Sequence, residues 1–106
     1  MPKYLLQASY KAEGAKGLLK DGGSKRRAAA KTLVESLGGK IDCFYFAFGE
    51  TDAVVVVDFP DGVSAAAASL AINASGALTA RVTVLLTPEE IDQAAKKSVK
   101  YTPPGK

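Results

Sequence analysis

The stretch AVVVVDFP, residues 53–60, constrains the fold more than any other part of the chain. Run as a strand, it sends Val55 and Val57 to one face and Val54 and Val56 to the other, so neither face is polar. Pro60 cannot continue a hydrogen-bonded ladder and ends it. The run before it, Lys40 to Phe48, is also two-sided: Ile41, Cys43, Tyr45 and Ala47 alternate with Asp42, Phe44, Phe46 and Phe48. Two strands that are apolar on both faces need cover on both sides. A chain of 106 residues has room for one domain and one core, so part of that cover must come from outside the chain.

The remaining elements follow from periodicity and punctuation. Lys3 to Tyr10 alternates as a first strand, and Glu13 to Lys20 forms a short helical turn ended by Gly22-Gly23. Ser24 is then read as the N-cap of a helix running to Leu37, with Ala29, Leu33, Val34 and Leu37 on one stripe and Lys25 and Arg26 largely elsewhere. Gly38-Gly39 supplies a left-handed C-cap. Asp61 caps an alanine-rich helix over Val63 to Ala74, Leu78 to Thr87 is a fourth strand, and Thr87-Pro-Glu-Glu opens a last helix. The order strand, helix, strand, strand, helix, strand is the α+β plan of a ferredoxin-like βαββαβ sandwich, a four-stranded antiparallel sheet with an extra C-terminal helix. Residues 1–98 form the domain and 99–106 a flexible basic tail. The helices cover one sheet face only. The other, carrying Leu5, Val54, Val56 and Leu85 among others, is expected to pack on a second copy, which predicts a homodimer or a larger even-numbered oligomer.

Residue usage removes several chemistries. There is no histidine and a single cysteine, Cys43, so a structural zinc site, a Cys-His nucleophile and a histidine general base are excluded within one chain, and no metal or cofactor is expected. No apolar run approaches the roughly 18 residues that cross a bilayer, and Gln7 and Ser9 interrupt the apolar segment a signal peptide needs. A cytoplasmic protein with no membrane partner is expected. The net charge of +3 arises from Lys96, Lys97, Lys100 and Lys106 near the C-terminus. With a near-neutral body and no recognisable module, nucleic acid is not an expected partner. The cluster Lys20, Lys25, Arg26, Arg27 and Lys31 reads as a solvated helix face.

The first strand, the GGK after the long helix, the run FYFAFGETD, the valine strand and the closing DFPD together resemble the GYD-domain family, over roughly residues 4–93. The resemblance implies a small, mostly bacterial protein of the dimeric α/β-barrel type and implies little about activity. The family's naming motif falls at Gly49, Thr51 and Asp52, where its tyrosine is absent, so no role can rest on that tyrosine here.

Gly49-Glu50-Thr51-Asp52 reads first as a turn, with Gly49 accepting positive φ and Asp52 bonding nearby amides, and second as a ligand contact. Asp58 is a carboxylate inside a valine strand. It shares a face with Val54 and Val56, while Arg81 and Thr83 lie on the Leu85 face of the last strand. Where those faces coincide, an apolar pocket with a few polar groups is expected. Two functions fit. One is a small homo-oligomeric binding or assembly protein that holds a small organic ligand between sheet and helices through Arg81, Tyr45, Asp52 and Gly49. The other is a cofactor-independent oxygenase or isomerase of the dimeric α/β-barrel kind, with Asp58 as base and Tyr10 or Arg81 orienting the substrate.

Overall fold

A computed structural model describes residues Met1–Lys106. Strand β1 (Lys3–Tyr10) lies inside a four-stranded sheet, between β3 (Ala53–Asp58) and β4 (Leu78–Leu85), and β2 (Lys40–Phe46) forms the edge beyond β3. All neighbours are antiparallel, and the order β2-β3-β1-β4 is compatible with the ferredoxin-like plan. The alternation expected from the sequence is strict in the two inner strands. Tyr4, Leu6 and Ala8 of β1 and Ala53, Val55 and Val57 of β3 are buried, and every residue between them is only partly covered.

Helices α1 (Ala12–Asp21), α2 (Gly23–Ser36) and α3 (Gly62–Ala74) supply the cover on the buried face. Val34 of α2 and Ala65 and Ala68 of α3 complete the core, with Val57 and Phe59 wholly removed from solvent. The Tyr4 and Phe59 rings meet at 5.9 Å in a tilted pair. Asp61 caps α3 as expected, its side chain accepting from the Ser64 N–H at 2.8 Å.

Four local expectations are corrected. Ser24 is not a cap: α2 begins directly after α1, and Gly22 at φ 82° makes the corner between them, a conformation that suits a residue without Cβ. In β2 a bulge between Ile41 and Cys43 breaks period two, so Ile41, Phe44 and Phe46 pair with Val57, Val55 and Ala53 on the helix side, leaving Cys43 and Tyr45 on the other. β2 stops at Phe46, because the Ala47 N–H turns back to the Asp52 carbonyl at 2.8 Å and closes a loop. β3 and β4 end at Asp58 and Leu85, short of the sequence bounds.

The sheet's second face carries no helix. Reading across it, one row is Tyr45, Val54, Gln7 and Arg81, and the next is Cys43, Val56, Leu5 and Thr83. The terminal helix α4 (Pro88–Ala95) has the capping box foreseen at Thr87 and Glu90, yet it makes no substantial contact with the body. Every residue from Leu86 to Lys106 is exposed, and the chain extends to 56 Å in its longest dimension. The packed body thus ends near Leu85, with α4 and the lysine-rich segment projecting from it. No helix is long and apolar enough to cross a membrane.

Candidate functional site

The helix face of the sheet does not close completely. α2 leans on β2 and α1, α3 leans on β4, and the two helices hardly touch each other. On the α2 side Ala29 and Ala30 line the space between them and on the α3 side Ile72 does, and alanine reaches too short a distance to fill the gap between two helices. A cavity of about 110 Å³ remains, floored by Leu6, Ala8, Val55 and Val57 and walled by Ala30, Leu33 and Ile72. Of its fourteen lining residues, thirteen are hydrophobic; the exception is Arg26. This is the make-up of a small-molecule site: an apolar body with very few polar groups to fix orientation.

Tyr10 and Arg26 stand together at one end of this cavity, beside a second recess that they share with Glu13, Gly14 and Ala77. Gly14 is required there, because a Cβ would lie 2.2 Å from the Ala77 carbonyl oxygen and 2.9 Å from the Tyr10 ring. The Lys11 N–H donates to the same Ala77 carbonyl at 2.9 Å, which pins the start of α1 to the turn before β4. Tyr10 is held through its backbone: its N–H donates to Asp52 Oδ2 at 2.7 Å, and the Asp52 N–H donates to the Ala8 carbonyl at 2.8 Å. Arg26 is half-buried and forms no ion pair, while the acid sharing its recess, Glu13, accepts from Lys16 at 3.4 Å.

The residues singled out in the sequence fall in three places. Tyr10 lines the cavity, and Asp52 buttresses it from behind. Asp58, Arg81 and Tyr45 lie on the opposite, uncovered face, on the far side of the sheet from the helices; Tyr45 and Arg81 share one row, and Asp58 lies opposite Lys3, four residues along β1 from that row. Gly49 lies in the exposed loop without positive φ and with open space around it, so the turn does not demand glycine there.

Asp58 and Tyr10 are not neighbours. Asp58 pairs with Lys3, seven residues from Tyr10 along β1, or about 23 Å, and on the other face. The Asp58 carboxylate accepts from Lys3 Nζ at 2.9 Å, and Asp42 accepts from the same ammonium at 3.2 Å. The hydrogen bond to Asp58, seconded by the one to Asp42, raises the Lys3 pKa above its ordinary value of 10.5.

Arg26 escaped the sequence reading. Its charged neighbours Lys25 and Arg27 suggest a solvated face, but it precedes Ala30 by four residues and Leu33 and Val34 by seven and eight, which places it on their stripe. That spacing was the available signal, and the flanking charges masked it.

In comparison with known proteins, the family model described as the GYD domain matches residues 4–95. No curated protein and no solved structure matches the chain.

Proposed function

The chain belongs to the GYD-domain family, and from that premise we propose that it is a self-associating protein that holds a small apolar organic molecule in the cleft between α2, α3 and the sheet. The observation that carries the ligand reading is the cleft itself: lined almost entirely by hydrophobic side chains, with Tyr10 and Arg26 at one end. An oxygenase or isomerase working through Asp58 has less support, because that carboxylate is already engaged by Lys3 and is separated from Tyr10 by the sheet.

Self-association, in the manner of a dimeric α/β barrel, is supported by surface area. A folded monomer of 11.0 kDa is expected to expose about 5,600 Å². This chain exposes 7405 Å², an excess of about 1,800 Å² against the ~800 Å² that each partner contributes to a standard interface. The segment from Leu86 to Lys106, exposed throughout, supplies much of the excess, and two features in particular call for a partner. One is the uncovered sheet face around Leu5, Val54 and Val56. The other is α4, whose eight residues fall short of the roughly 12 to 15 that make an isolated helix stable in water, and which exposes Ile91. Both are satisfied if a second copy packs on the sheet face and receives the helix. A cytoplasmic setting belongs to the same reading and is supported by the single free Cys43.

Native mass spectrometry of protein freshly purified from cells, followed by denaturation, tests both halves. An even-numbered oligomer that releases a reproducible small-molecule mass is expected. The double variant Leu5→Lys, Val56→Lys should dissociate to monomer while keeping its fold. A wild-type chain that stays monomeric at micromolar concentration would overturn the assembly reading.

A further inference from the structure

We propose that the cleft is selective for small apolar carboxylates, with Arg26 receiving the carboxylate and the alanine-lined cavity receiving the hydrocarbon part. The inference rests on the ligand-binding reading above and names its ligand class. Size comes from the cavity. At about 110 Å³ it is somewhat smaller than an engineered apolar cavity of about 150 Å³ known to take benzene, so the buried part has about six carbon atoms or fewer. Charge comes from Arg26, the only charged side chain on the lining. It is half-buried, no carboxylate of the chain pairs with it, and its partial desolvation is uncompensated.

A carboxylate at that end of the cavity fits the guanidinium better than other anions do. The planar fork presents parallel N–H donors that match two carboxylate oxygens. Glu13 lies in the same outer recess, its own cation being Lys16, so a doubly charged phosphate would meet a like charge that a single carboxylate feels less. Tyr10 lines the same cavity and recess, and its hydroxyl is the one other polar side-chain group on the cavity lining. An amine would be repelled by Arg26, and a neutral alcohol would gain the cavity but not the charge-assisted pair.

Titration of the full chain by isothermal calorimetry with hexanoate, hexan-1-ol and hexylamine, on wild type and Arg26→Gln, tests this. On wild type, hexanoate should bind about 10- to 100-fold more tightly than hexanol, the range a charge-assisted hydrogen-bonded pair provides, and hexylamine more weakly than either. In Arg26→Gln the preference should disappear while the hexanol affinity stays within about twofold, which also reports that the variant is folded. Equal affinities of acid and alcohol on wild type, or a preference that survives Arg26→Gln, would overturn the carboxylate assignment and leave the ligand cleft standing. Binding of none of the three would remove the cleft as a ligand site and this inference with it.

Discussion

Ala30→Leu tests whether the space between α2 and α3 is vacant. Ala30 is half-buried, lines the cavity, and lies on a helix that tolerates leucine almost as well as alanine. Leucine adds three carbon atoms, each worth about 0.8 kcal/mol when taken from water, for a gross gain of about 2.4 kcal/mol. Fixing the new rotamer costs about 0.5 to 1 kcal/mol, leaving a net stabilisation of about 1.5 kcal/mol. For a chain of this length that corresponds to a rise of about 7 °C in melting temperature. Differential scanning calorimetry and urea titration, with m unchanged, would measure it. The same substitution should abolish hexanoate binding, so stability and ligand affinity move in opposite directions. A loss of stability of 1 kcal/mol or more would refute the reasoning, because it would mean that neighbouring side chains already occupy the volume and leucine overpacks it.

Phe59→Ala should lose about 3 to 5 kcal/mol in urea unfolding, since the ring is wholly buried against Tyr4, and that loss rivals the total stability of many small domains. Gly14→Ala should be destabilised by about 1 to 3 kcal/mol and should bind hexanoate weakly, because its Cβ forces α1 away from Ala77 and widens the mouth of the cleft. The Asp61 pKa is lowered from its ordinary 3.8 by the hydrogen bond from the Ser64 amide. The cap therefore stabilises the fold above pH 3.8 and ceases to do so as pH falls through the depressed folded value, and Asp61→Ala should lack that acid-side loss in melting temperature. The raised Lys3 pKa has the opposite sign: its stabilisation is complete below pH 10.5 and is lost as pH rises through the folded value. Wild type and Lys3→Met should accordingly converge in stability at strongly alkaline pH.

Much of the fold was legible because its signals are local. The alternation in Lys3–Tyr10 and Ala53–Asp58, the Asp61 cap, the Thr87 capping box and the turn glycine at Gly38, with φ 76°, each follow from a few adjacent residues. The bulge at Ile41 and Cys43 was not legible, because nothing in KIDCFYF marks an extra residue and only pairing with β3 reveals it. The site was read less well for a related reason. Period two gives each of Asp58 and Arg81 a face of its own strand but leaves open whether those faces coincide, and which face the helices take depends on the apolar volume of each, with Tyr4, Leu6 and Phe59 outweighing Leu5 and Val56. The cavity belongs to no segment of sequence at all. It is a gap between Ala29 and Ala30 of α2 and Ile72 of α3, on helices that lie some thirty residues apart in the chain.

The strand order also sets a timetable for synthesis. β1 is the first strand to leave the ribosome and an inner strand of the sheet, yet its two neighbours, β3 and β4, are made some fifty and seventy-five residues later. Until Leu78–Leu85 has emerged, Leu5 and Leu6 lie on a strand with one unpaired edge, although β1 can already pair with β3, and β3 with β2, once Asp58 has been made. A ribosome stalled before Leu78 would hold a nascent chain prone to cross-strand capture by its neighbours on the same message.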